Sequence, residues 1–231
     1  MIRHLIAASV LALLAACGGS GGSDNETAAT SFITPGADVP ETAERGEDGV
    51  PRDDYGRPYD YAFLGREIPA FDGTMVAGPL FSTQELENQW TLIIVWGLHC
   101  HDSRADADLI SELWTEVKDR EDLALLTIHT PASAERADEA YGKYNAIEDF
   151  FEEKGFNFPT LVDEDASIRE TLKIAWTPSY LLIAPDLTVQ GFRSNLSDAE
   201  ADNPVQGLLA DIKAVQSDWE PLADEDKPAE Y

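Results

Sequence analysis

A chain of 231 residues with 43% hydrophobic content is long enough to bury one core of ordinary size and to leave tails on either side. Its 44 acidic residues against 16 basic ones give a formal net charge of -28, which argues against nucleic acid or an anionic membrane face as the partner of a basic patch. The charge reads most simply as a solvated surface, with an acidic docking face for a basic partner as the alternative.

The opening stretch, MIRHLIAASVLALLAAC, combines a basic start at Arg3, an apolar run from Leu5 to Ala16 and small residues before Cys17. The run is shorter than the roughly 20 apolar residues of a membrane-spanning helix, so residues 1–16 read as an export signal that is removed. Leu14-Ala15-Ala16-Cys17 resembles the lipobox of bacterial lipoproteins, with an ordinary secretory cleavage site as the alternative. The resemblance implies acylation of Cys17 and a place on the periplasmic face of the cell envelope. Gly18 and Gly19, rather than an aspartate, imply the outer membrane. Cys100 is then the only free thiol in an oxidising compartment: a reactive group, half of an intermolecular disulfide, or a buried relic.

From Gly18 to about Arg57 the Gly, Ser, Thr, Asp, Glu and Pro content predicts a flexible tether, so residues 17–57 are lipidated cysteine plus linker. A folded domain is expected over residues 58–218, and an acidic disordered tail over 219–231. The domain opens on an irregular lead-in, Phe63 to Gly73, and Ser82-Thr83-Gln84-Glu85 has capping-box spacing for a short helix. Trp90 to Trp96 (WTLIIVW) is a continuous apolar, β-branched run suited to a central strand. Leu109, Ile110, Leu113, Trp114 and Val117 recur at helical spacing within Ser103 to Arg120, so Cys100 falls at a strand-to-helix junction. Asp122 to His129 predicts a strand, Ser133 to Lys154 a long amphipathic helix stopped by Gly155, and Phe158 to Val162 a strand edge. Asp165 is expected to cap a helix through Lys173. Tyr180 to Ala184 and Thr188 to Phe192 form a hairpin turned at Pro185-Asp186, and Asn203-Pro204 starts a helix burying Leu208, Leu209, Ile212 and Val215. The alternation predicts an α/β fold, a central mixed sheet flanked by helices.

Three stretches carry a family likeness over about Phe63 to Gln216: the lead-in LGREIPAF, the strand-to-motif run LIIVWGLHCHDSR, and FPTLVDED followed by WTPSYLLIAPD. The domain resembles the thioredoxin-like TlpA/ResA/DsbE family of the redoxin superfamily. In that family an aromatic residue precedes Cys-x-x-Cys-Arg, and a cis Thr-Pro pair begins a later strand; Trp96, Cys100, Arg104, Thr177 and Pro178 take those places. The resemblance implies thiol-disulfide exchange with protein disulfide or thiol clients, Cys100 as nucleophile, Trp96, Thr177 and Pro178 at the substrate-docking surface, and no cofactor.

Ser103 departs from the pattern, because the family places its second cysteine there. Cys100 lacks an internal partner to release a mixed disulfide, so release needs glutathione, a partner thiol or a second copy of the chain. Ser103 could donate a hydrogen bond to the sulfur. A helix N-terminus favours an anion at Cys100, while Asp102 and the acidic surface oppose it. Three alternatives stand beside this reading. A peroxidase of the same superfamily keeps its cysteine at the later motif position, where Ser103 stands. A metal site would draw on Cys100, His99, His101 and His129. A non-enzymatic binding or scaffold module would need no chemistry at Cys100.

Overall fold

A computed structural model describes residues 31–76, 78–197 and 202–221; the expected export signal, Cys17 and the expected tail beyond residue 221 lie outside the described residues. In chain order the strands are β1 (Glu44–Arg45), β2 (Pro51–Arg52), β3 (Asp72–Met75), β4 (Leu80–Ser82), β5 (Thr91–Trp96), β6 (Ala124–His129), β7 (Thr160–Val162), β8 (Ser179–Ile183) and β9 (Val189–Ser194). The α-helices are α1 (His101–Val117), α2 (Ile147–Lys154), α3 (Ser167–Thr171) and α4 (Pro204–Asp218). β1 and β2 pair with each other, and the remaining strands form one mixed sheet in the order β4-β3-β7-β6-β5-β8-β9. β5, β6 and β7 run parallel, and the flanking pairs are antiparallel.

β5 is buried on both faces, which is why its sequence shows no polar alternation. Leu92, Ile94 and Trp96 enter one core with Ile110 and Leu113 of α1, Phe150 of α2, and Leu208 and Ile212 of α4. Ile93 and Val95 enter the opposite core with Ile68 and Phe71 from the lead-in, Tyr61 before it, Leu86 after β4 and Ile168 of α3. Each fully buried Leu or Ile of this kind contributes about 1.5–3 kcal/mol. The α/β architecture, with a mixed sheet between helices, is the one expected.

Several local expectations are corrected. Residues 31–57 are not all tether: Phe32 is buried, Ile33 bridges Phe192 of β9, and β1 and β2 form within the stretch. One aromatic and one aliphatic residue in a polar segment suffice, because the edge of β9 offers unpaired backbone groups and an apolar seat. The lead-in runs into the β3–β4 hairpin, whose β3 edge pairs with β7. The long helix expected over Ser133 to Lys154 breaks into a 3-10 helix at Ala134–Glu139, a series of turns, and α2. Arg136 leaves helical geometry and Gly142 takes φ +60, interrupting a run whose apolar spacing alone looked continuous. Asp165 accepts a hydrogen bond from the Ser167 N–H (3.0 Å), but α3 stops at Thr171 and Lys173 turns to φ +50. The buried Asp163 does more there, accepting from Ile168 N (3.1 Å), Arg169 N (2.9 Å) and the Thr130 hydroxyl (2.8 Å). At the other end, Trp219 packs edge-on against Trp90 with centroids 5.3 Å apart, just past the boundary expected at 218. The Ser82 capping box and the Asn203 cap form as read: Glu85 accepts from Ser82 N (3.0 Å), and Asn203 from Gln206 N (3.0 Å).

Candidate active site

Between the end of β5 and the start of α1 lies Gly97-Leu98-His99-Cys100. Its backbone is tied down at Gly97, Leu98 and Cys100. Gly97 N donates to Ser103 Oγ (3.2 Å), Leu98 N to His129 Nε2 (3.3 Å), and Cys100 N to Gly97 O (3.0 Å), while Arg104 Nη1 donates to Leu98 O (2.6 Å). Gly97 is required, since a Cβ there would lie 2.4 Å from His99 Cε1 and 2.5 Å from Thr130 O.

Cys100 caps α1 in an extended conformation (φ -90, ψ 132) and is half-buried. Its Sγ donates to the Thr177 carbonyl at 3.0 Å. The Thr177–Pro178 peptide is cis, and the turn is braced by Ser179 Oγ donating to Trp176 O (2.8 Å) and Trp176 Nε1 donating to Asn195 Oδ1 (3.0 Å). The sequence-expected Cys100, Thr177 and Pro178 are therefore brought together, from residues more than seventy positions apart. Both Thr177 and Pro178 are buried, so what faces the sulfur is the backbone carbonyl.

Two expected members fall elsewhere. Trp96 is fully buried, with its ring stacked on Phe151 (6.4 Å, 1°) and set edge-on to Phe158 (5.7 Å) and His129 (5.3 Å). It anchors the core behind the loop and cannot meet a client. Ser103 is also fully buried, and its Oγ accepts from Gly97 N; it makes no hydrogen bond to Cys100 among the described residues. It holds the loop rather than the thiol.

The histidines do not converge on a metal position. His101 is exposed at the start of α1 beside Asp102 (3.3 Å). His129 is fully buried with Nε2 committed to Leu98 N, its ring stacked on Tyr141 at 5.1 Å. Burial pushes its pKa down to about 3, with His99 adding to the shift and the Ala140 carbonyl opposing it. His99 is pushed down to about 4, by burial first and then by Arg169, Arg136 and Arg104. Both are neutral imidazoles near pH 7. No group of three or more His, Cys, Asp or Glu among the described residues is placed to hold a metal ion.

Sequence reasoning missed two residues here. Arg169 on α3 is half-buried, donates from Nη1 to Pro131 O (3.3 Å), and lies close enough to Cys100 for a negative charge on that sulfur to act on the guanidinium. Burial lowers its pKa, against the opposing pull of Cys100 and Asp163. Nothing in the local pattern of DEDASIRET marks it, because its neighbours come from other elements. Asp106, fully buried on α1, accepts from Tyr180 Oη (2.7 Å), Leu196 N (2.6 Å) and Ser197 N (2.7 Å). A carboxylate on the same stripe as Ile110, Leu113 and Val117 was its available signal.

The AhpC/TSA family model matches residues 64–192, more than half of the chain. The chain belongs to the AhpC/TSA family. The match begins in the lead-in and ends in β9, so this AhpC/TSA chain has both Cys100 and the Thr177–Pro178 turn inside the matched region. The resemblance to the redoxin superfamily is thereby borne out. Among solved structures, a candidate protein disulfide isomerase from Bacteroides thetaiotaomicron is similar at 18% identity and a TM-score of 0.52, over 68% of this chain and 91% of that one. A candidate thiol:disulfide interchange protein DsbE from Chlorobium tepidum is similar at 14% identity and 0.50, over 66% and 98%. A candidate thioredoxin from Neisseria meningitidis is similar at 17% identity and 0.50, over 65% and 90%. At these identities the likeness is one of fold, and the fold is thioredoxin-like. No curated protein matches the chain.

Proposed function

We propose that this AhpC/TSA-family protein carries out thiol-disulfide exchange through Cys100 as its single nucleophile, with an external thiol completing each cycle. The observation that supports this reading most is the half-buried sulfur at the N-terminus of α1, 3.0 Å from the carbonyl of the cis Thr177–Pro178 turn. Cys100 gives its proton to solvent, and the thiolate attacks one sulfur of a client disulfide. A mixed disulfide forms and the other client sulfur leaves as a thiolate. Ser103 supplies no second sulfur, so a thiol from outside attacks next, takes the place of the client on Cys100, and is itself removed by a second thiol that leaves as a disulfide. Two electrons pass from two external thiols to the client.

The lipobox-like Leu14-Ala15-Ala16-Cys17 supports attachment through an acylated Cys17 to the periplasmic face of the envelope, at the outer membrane, where clients with disulfides occur. The test is capture of covalent adducts from acid-quenched, non-reducing cell extracts. Client adducts are expected with the unaltered chain and absent with Cys100→Ala. Equal adducts in both, or none in either while the variant still binds its partners, would make the domain a scaffold.

A further inference from the structure

Trp96, the aromatic residue expected at the client surface, is fully buried, and a different tryptophan stands at the site. Trp176 directly precedes Thr177, whose carbonyl receives the Cys100 Sγ at 3.0 Å, and its own carbonyl accepts from Ser179 Oγ at 2.8 Å. Its side chain is only half-buried. Trp176 Nε1 donates to Asn195 Oδ1 (3.0 Å), and Asn195 Nδ2 donates to Asp102 Oδ2 (3.3 Å), on the second residue after Cys100. One side-chain amide thus joins the indole to the first turn of α1, alongside the backbone contact at the sulfur. At its other end the indole meets Gly56, where a Cβ would lie 3.5 Å from Cζ3 and 3.9 Å from Cη2. The loop carrying Gly56 is itself tied: Asp53 Oδ1 accepts from Tyr55 N (3.0 Å) and Arg57 N (2.8 Å), and Arg52 Nη1 donates to Gly56 O (3.1 Å). Tyr55, one residue from the glycine that touches the indole, is 79% exposed. Fixed at both ends, the indole has little freedom left to lose when a ligand packs on it, and its open part is a preorganised aromatic surface.

We propose that Trp176 selects the client: the protein prefers disulfides whose cysteine has an aromatic side chain next to it in sequence, and that side chain packs on the open part of the indole while the client sulfur meets Cys100. The assignment rests on the exchange reading of Cys100 and names the substrate class of that site. Trp176 is one residue from the carbonyl that the sulfur meets, and an extended client advances about 3.3 Å per residue, so the side chain beside the client cysteine is the one within reach of the ring.

The probes are the blocked tripeptides acetyl-Phe-Cys-Gly-amide and acetyl-Gly-Cys-Phe-amide, with acetyl-Gly-Cys-Gly-amide as reference, each joined through its cysteine to 2-nitro-5-thiobenzoate. The Cys100 thiolate attacks the peptide sulfur; a disulfide forms between Cys100 and the peptide, and the coloured thiobenzoate leaves with the electron pair of the broken bond. The faster of the two Phe peptides is expected to exceed the reference by about fivefold, the factor that one aromatic pair supplies. Trp176→Ala is expected to bring that ratio to about one, and Trp176→Phe, which keeps a ring without the N–H, to keep part of it. Each variant is read against its own reference peptide, so a change in thiol reactivity alone leaves the ratio where it was. Equal rates for the Phe and Gly peptides in the unaltered chain, or an unchanged ratio in Trp176→Ala, would overturn the proposal. Titration of Cys100→Ser with the S-methyl forms of the same peptides, followed by NMR through the indole N–H resonance that Trp176→Phe lacks, separates the two readings. A shift with a Phe peptide that the Gly peptide does not produce upholds the indole contact even where Cys100 attacks nothing, and the exchange reading alone then falls. No such shift overturns the contact whatever Cys100 does.

Discussion

Asp106 is a carboxylate with no solvent contact, and its three protein donors account for both of its oxygens. It joins α1 to β8 through Tyr180 and to the Leu196–Ser197 turn through two backbone N–H groups. Asp106→Ala would leave the buried Tyr180 Oη and Leu196 N without an acceptor, the exposed Ser197 N being able to turn to water, and is expected to cost about 2–3 kcal/mol in urea unfolding, with Asp106→Asn costing less because one oxygen remains. The buried histidines make a second residue-scale statement. An unfolded imidazole takes its proton near pH 6.5, whereas folded His99 does so only near 4 and His129 near 3. Stability from keeping them neutral is fully present above pH 6.5 and is lost as the pH falls toward those lower values. Each contributes a slope of up to about 1.4 kcal/mol per pH unit in that window, less for the partly exposed His99. NMR titration of the His129 ring should show no protonation between pH 7 and pH 4.5, and a normal curve there would contradict its burial. Cys100 and His129 were visible in the sequence as chemistry-bearing residues. What His129 does was not, since its Nε2 meets Leu98 N across two strands.

At the scale of elements, the sequence pattern located β5, β6, β8, β9, α1 and α4 because each is a run whose apolar spacing is set by burial against the sheet. It failed over Ser133 to Lys154, where Tyr141 is placed by stacking on His129 rather than by a helical repeat. It failed again over residues 31–57, where contact is made by single residues. Ile33 N donates to Phe192 O (2.8 Å), and the Phe32 ring lies over Gly191. A Cβ at Gly191 would sit 2.9 Å from Phe32 Cδ1, so Gly191→Ala must displace that ring. The variant is expected to lose about 1–3 kcal/mol and to expose the Ile33 amide to hydrogen exchange, with β5 amides still protected. Uniform loss of protection through β5 would show that the segment is part of the core rather than docked on it.

For the whole molecule, the acidic excess of the chain contrasts with a site loop held by the buried, neutral His129 and by backbone bonds. The proposed lipid anchor at Cys17 belongs to this scale because it would set where the domain stands. Cys17→Ser is expected to move the protein from the membrane fraction to the soluble fraction without altering the Tm of the domain, which fractionation and calorimetry would check; an unchanged membrane fraction would remove the lipid anchor from the proposal. The sequence by itself determined the order of strands and helices, the placing of Cys100 at a strand-to-helix junction, and the loss of a second motif sulfur at Ser103, because periodic burial and motif spacing are local properties. Only the tertiary structure decided that Trp96 and Ser103 turn inward, that Arg169 stands near the sulfur, and that residues 31–33 close the edge of β9. Those depend on which face of each element meets another, and contacts between separate elements leave no period in the chain.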